Sequence, residues 1–269
     1  MPARLHHERI ARSDSNPGRW LLLTHGIFGS GANWRGIARK VNERRPEWGV
    51  VILDLRLHGR SEDGDRPHTI DALADDVAAL AAELGGVAAL AGHSLGGKVM
   101  AAARAKLAVQ QTWMLDSSPS ARPEALADPD NSILRVLDSL ERLPATFSKR
   151  DEMVAALVGG GHDVALAQWL AMSAVPAGDA LKLRFDLAAL RELLADYYAR
   201  DLWPAVDDPA KGGIELVIAD RSSVFTADDR ARIAREAAHV RAHHVNAGHW
   251  LHIEAPAPVV DLLSQHLPP

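Results

Sequence analysis

Five short apolar runs punctuate the chain, and each ends at turn residues. Trp20-Leu-Leu-Leu-Thr24 runs into His25-Gly26, Val50-Val-Ile-Leu-Asp54 into a loop through His58-Gly59, and Val87-Ala-Ala-Leu-Ala91 into Gly92-His-Ser94. Thr112-Trp-Met-Leu-Asp116 leads into Ser-Ser-Pro119, and Ile214 to Asp220 follows Gly212-Gly213. Runs this short, flanked by Gly and Pro, predict buried strands. Ala242-His-His-Val245 is the expected last strand. Between them the pattern is helical. Thr69 to Leu84 carries Leu73, Val77, Leu80 and Leu84 on one stripe and stops at Gly85-Gly86.

Alternating strands and helices predict a mostly parallel sheet with helices on both faces, an α/β fold. The alternation lapses after Pro119. From about Pro123 to Trp203 the pattern is helical with no convincing strand, broken at Pro144, Gly159-Gly-Gly161 and Pro176. The expected division is a core of residues 1–120 and 206–269 with a helical cap, or lid, of residues 121–205 inserted late in the sheet order.

Composition narrows the chemistry. The 269 residues are 47% hydrophobic and 24% charged, with net charge -5 and no run of five basic residues. A nucleic-acid partner would require a basic patch of that kind. The absence of cysteine excludes disulfides, a thiol nucleophile and thiolate metal sites. Met-Pro-Ala-Arg-Leu-His-His-Glu-Arg offers no apolar signal stretch, and no apolar run approaches a membrane span, so the expected location is cytoplasmic.

Gly92-His-Ser94-Leu-Gly96 sits between an apolar strand and a helix beginning near Leu95. It matches the G-x-S-x-G nucleophile elbow, in which a sharp strained turn lifts the serine hydroxyl above the sheet edge, the alternative being an ordinary tight turn that contains a serine. Bulk at Gly92 or Gly96 would strike the neighbouring strand and helix. Gly92 to Lys98 also fits the start of a phosphate-binding loop. Val99 stands where that loop needs Ser or Thr, so Lys98 is read as a helix-surface or helix-packing residue. The backbone N–H of Leu95 opens the helix and favours negative charge, and Phe28, in the loop His25-Gly-Ile-Phe28-Gly-Ser30, is assigned as second oxyanion donor.

A base must come late in the chain. Among thirteen histidines, His249 in Asn246-Ala-Gly-His249-Trp-Leu-His252 follows the last strand with Gly248 beside it. His252 is its nearest competitor, and His243 and His244 are read as structural or solvent-facing. Two strand-end carboxylates, Asp116 and Asp220, can orient the imidazole.

These stretches, with Asp54-Leu-Arg-Leu-His-Gly-Arg-Ser61, Gly92 to Lys98 and Leu183-Arg-Phe-Asp-Leu187, resemble the small bacterial esterases of the α/β-hydrolase superfamily and their mitochondrial relatives. That group acts on short acyl esters and thioesters. The resemblance covers nearly the whole chain and weakens over the cap. It implies Asp-x-x-Pro after the strand following the elbow, which Asp116-Ser-Ser-Pro119 fits, and no Asp at the later slot, where Ser222 stands. It therefore implies the triad Ser94, His249 and Asp116 rather than Asp220, with no cofactor or metal and a small-molecule acyl substrate. Trp169 and Trp203 are candidate walls of the cap. A lyase of the menaquinone-pathway type or a carbon–carbon bond hydrolase shares much of the pattern, and a non-catalytic binding module is a further alternative. The pattern carries no reading of oligomeric state.

Overall fold

A computed structural model describes residues 1–13, 16–235 and 239–269. The strands are β1 (His7–Ile10), β2 (Arg19–Thr24), β3 (Trp48–Leu53), β4 (Ala89–His93), β5 (Gln111–Leu115), β6 (Ala174–Ala177), β7 (Ala180–Leu183), β8 (Gly213–Ala219) and β9 (Val240–Val245). The core helices are α1 (Arg35–Arg44), α2 (Ile70–Glu83) and α3 (Leu95–Ala103). Four more, α4 (Ser132–Glu141), α5 (Arg150–Gly159), α6 (Val164–Ala171) and α7 (Leu187–Ala199), lie between β5 and β8, followed by the single turn α8 (Trp203–Val206). The chain closes with α9 (Ala227–Ile233), α10 (Leu251–Glu254) and α11 (Pro256–His266).

Seven strands form one sheet in the order β1-β3-β2-β4-β5-β8-β9, with β1 antiparallel to β3 and every other pair parallel. Side chains alternate across a strand, and the apolar residues divide accordingly. Leu21 and Leu23 of β2, with Val50 and Ile52 of β3, pack on Ile37 and Val41 of α1 and Val260 and Leu263 of α11. Leu22, Val51 and Leu53 face the other way, onto Leu73, Val77 and Leu80 of α2 and Val99 and Met100 of α3. A sheet buried on both faces explains why its strands read as unbroken apolar runs. The helix expected over Thr69–Leu84 is α2, and its Thr69 side chain accepts the Ala72 N–H as an N-cap.

Two strand features depart from the sequence reading. β1, His7-Glu-Arg-Ile10, is a polar edge strand, and its charge conceals it. The segment between β5 and β8, expected to lack strands, contains the antiparallel hairpin β6–β7. Gly178-Asp179 is its two-residue loop, with Gly178 at φ +65°, and Leu181 bridges to Phe147. Pro176 reads as a breaker, yet a two-stranded ribbon has open edges where proline is tolerated. Leu137, Leu140, Met153, Leu170, Leu190 and Leu193 of this segment join the apolar cluster on the α2–α3 face of the sheet.

Candidate active site

Parallel strands direct all their carboxyl ends to one edge, and the crevice outside that edge is where ligands bind in such sheets. The loops after β2, β4, β5, β8 and β9 converge there. Ser94 joins β4 to α3 with φ 51° and ψ -117°, a conformation an L residue keeps only under constraint. The glycines supply that constraint. A Cβ at Gly92 would overlap the Gly96 carbonyl, and one at Gly96 would run into the His25 carbonyl and Thr24 methyl. Ser94 N–H donates to Leu115 O at 3.1 Å, and Ser117 Oγ donates to Ser94 O at 2.7 Å. The elbow is therefore tied to the end of β5 through its N–H and to the loop leaving β5 through its carbonyl.

His249 follows β9 and meets Asp116, at the end of β5, through Nδ1 and Oδ2 at 2.7 Å. Asp116 is fully buried, and its Oδ1 accepts the Ala219 N–H at 3.2 Å. The competing carboxylate, Asp220, is exposed and pairs with His244 at 2.8 Å. Among the described residues, His252 has no hydrogen-bond partner on either ring nitrogen, and it packs 5.3 Å from Trp34. Burial, then the His249 charge, push it down to about 4. His243 is structural: it bonds buried Glu215 at 2.7 Å and stacks on Trp113. The loop carrying His249 is held from behind. His93 Nε2 donates to His249 O at 2.7 Å, and the Gly248 N–H donates to Glu254 at 2.8 Å. Burial foremost, then the His249 and His252 charges, hold His93 well below its usual pKa, so it is a neutral donor.

Phe28 does not take the role assigned to it. Its N–H donates to His58 Nε2 at 3.2 Å, its ring packs edge-on against Phe185 at 5.6 Å, and its backbone has φ 61°. An amide already committed to an imidazole has no donor left for a substrate oxyanion. Ile27, one residue earlier, lines the cavity with Leu95. Ile27 directly follows Gly26, the glycine packed against Ser94. His25 and His58 are structural cross-ties. His25 Nε2 accepts the Leu55 N–H at 3.1 Å, and burial lowers the two rings to about 4 and about 3.

Ser94, Leu95 and His249 open into a cavity of about 650 Å³. Ile27, Leu194, Tyr197, Tyr198 and Trp250 supply its apolar and aromatic wall, and Ser222 stands at the β8 side. Exposed Glu124, Asp128 and Asp130, with Arg122, give it a polar outer part. The two tryptophans expected as walls lie elsewhere. Trp203 is buried, donating to Ser120 Oγ at 2.7 Å, and Trp169 packs on Trp250 over a separate apolar groove. Lys98, expected on the helix surface or packing the helix, is 2% exposed and bonds three backbone carbonyls.

A doubly covered parallel sheet with a serine on a strained strand-to-helix turn defines a class, the α/β hydrolases. Residues 21–262 match the family model described as "Alpha/beta hydrolase family", and the chain belongs to that family. It is 25% identical over 258 residues to the sn-1-specific diacylglycerol lipase ABHD11 of Mus musculus, covering 92% of this chain and 80% of that protein. It is 27% identical over 252 residues to Esterase YbfF of Escherichia coli, covering 92% of both. A solved structure described as "Marine microorganism esterase" superposes with TM-score 0.85 at 21% identity, covering 98% of this chain and 100% of that one, which shows the shared fold. The family and the names of these relatives support a hydrolase. No helix among the described residues is long and apolar enough to cross a membrane.

Proposed function

We propose that the chain is a serine carboxylesterase that hydrolyses short-acyl esters or thioesters through an acyl-enzyme. One observation carries this reading: the 2.7 Å pairing of His249 with fully buried Asp116, in a cavity shared with Ser94 on its strained elbow. With Nδ1–H given to Asp116, Nε2 is the nitrogen that takes the Ser94 proton. Ser94 Oγ attacks the carbonyl carbon, and the C=O pair moves onto oxygen. The Leu95 N–H at the start of α3 and the N–H of Ile27 receive that charge. His249 then protonates the leaving alcohol or thiol as its bond to carbon breaks. Water, deprotonated by the same imidazole, attacks the acyl-enzyme, and Ser94 departs with the returned proton.

A cavity of about 650 Å³ suits a small molecule. Residues 121–205 act as the cap over it and contribute Leu194, Tyr197 and Tyr198. The esterase and lipase names of the relatives support the ester class. The test is fluorophosphonate labelling of wild type and Ser94→Ala, beside hydrolysis of p-nitrophenyl acetate, butyrate and longer esters. Labelling and turnover in wild type, both abolished by Ser94→Ala, are expected. Wild type that neither labels nor turns over would end the proposal.

A further inference from the structure

Lys98 lies one turn beyond Ser94 on α3, and among the described residues no carboxylate is within ion-pair distance of it. Its ammonium instead meets three backbone carbonyls: Ser120 at 2.8 Å, Tyr197 at 2.9 Å and Arg200 at 2.8 Å. An ammonium has three N–H donors, and all are used. Ser120 lies where the chain leaves β5 for the cap, and Tyr197 and Arg200 lie at the end of α7, where it returns. The two crossings are also bonded to each other, through Arg122 N–H to Tyr198 O at 2.7 Å and Leu202 N–H to Pro119 O at 2.8 Å. Carbonyls at a helix C-terminus favour a cation, and the ammonium sits 4.8 Å from the Tyr197 ring centre. Methionine would fill the same space without desolvating a charge, so packing alone does not account for a buried lysine here. Tyr197 lines the same cavity as Ser94.

Resting on the serine-hydrolase reading, we propose that Lys98 is a positioning residue that pins both crossings between core and cap to the nucleophile helix and thereby holds Tyr197 against Ser94. Burial keeps the phenol protonated, so it can donate a hydrogen bond toward the serine oxygen or its adduct while α7 is held. The clamp depends on charge. Burial and then Arg122 bring Lys98 down to about 8, while Asp201, Asp229 and Asp196 pull the other way, and Tyr197 is the remaining titratable group beside it. A neutral amine has two N–H donors for three carbonyls and releases one.

The experiment measures kcat and KM for p-nitrophenyl butyrate from pH 6 to 10, with fluorophosphonate labelling to count competent serines. The proteins are wild type, Lys98→Arg, Lys98→Met, Tyr197→Phe and the Lys98→Met/Tyr197→Phe double variant. Wild-type kcat should fall above about pH 8, and Lys98→Arg should lose that alkaline limb because a guanidinium stays charged. Lys98→Met and Tyr197→Phe should each lower kcat about tenfold or more, with KM moving less, as expected for a misplaced group. The double variant should be no worse than the weaker single one. An alkaline limb unchanged in Lys98→Arg, or single losses that multiply in the double variant, would overturn the proposal. If Lys98→Met does not fold, the Lys98→Arg profile decides. Variants matching a labelled, active wild type remove this inference alone, whereas an inert, unlabelled wild type removes the serine reading with it.

Discussion

Replacing Asp116 with asparagine changes one atom in a fully buried carboxylate whose two oxygens serve different donors. Oδ2 faces His249 Nδ1 at 2.7 Å, and Oδ1 accepts the Ala219 N–H at 3.2 Å. An asparagine amide has one acceptor and one donor end, so it cannot satisfy both. If its oxygen turns to His249, two N–H groups face each other at Ala219, leaving a buried donor unmet at about 1–3 kcal/mol. Turned the other way, its NH₂ faces Nδ1, which must then give up its proton to Nε2. That tautomer presents a donor to Ser94 where an acceptor is required. The same exchange in a Ser-His-Asp protease lowers kcat about 10⁴-fold, or ~5.5 kcal/mol at 1.36 kcal/mol per tenfold. A comparable loss is expected in p-nitrophenyl butyrate hydrolysis by Asp116→Asn, with thermal unfolding confirming the fold. Asp220→Asn, altering an exposed residue bound to His244, should stay within about twofold of wild type. An Asp116→Asn enzyme within tenfold of wild type, or an Asp220→Asn enzyme that reproduces the loss, would refute the reasoning.

Two stability predictions follow from the same packing. Gly92→Ala forces a methyl into the Gly96 carbonyl, so urea unfolding should show a loss of about 1–3 kcal/mol or more, and an unchanged midpoint would contradict the packing account. His25, His58 and His252, lowered chiefly by burial to about 4, about 3 and about 4, charge near 6.5 in the unfolded chain. A folded pKa below the unfolded one gives a contribution that is complete above pH 6.5. It is lost as pH falls toward the folded values, at about 1.4 kcal/mol per pH unit for each group. The urea midpoint should therefore drop between pH 6.5 and 5, above the range where carboxylates titrate, and a flat midpoint there would show that these rings do not stay neutral.

The sequence alone determined the sheet and the elbow, because both rest on local rules. Buried parallel strands must be short apolar runs, so the five expected runs fall on β2, β3, β4, β5 and β8, within two residues at each end. A strained serine turn must be flanked by glycine, which makes Gly92 to Gly96 legible. The edge strand β1 and the hairpin β6–β7 were hidden because charge on an exposed edge and proline in a ribbon both imitate loop sequence. What tertiary structure decided is which long-range partner each polar group finds. Asp116 and Asp220 are equivalent as strand ends in sequence. Both end interior strands, and they differ in what lies over the strand end: Asp116 is buried between the Ala219 N–H and the His249 ring of the loop that follows β9, while Asp220 faces solvent beside His244. Phe28 and Ile27 are adjacent in one loop, yet His58, thirty residues away, takes the Phe28 amide. Lys98 looks like any lysine on a helix until the segment after β5 and the end of α7 close over it. Local periodicity fixes an element and its buried face, but a hydrogen bond needs its partner within about 3 Å, and only the folded chain sets that distance.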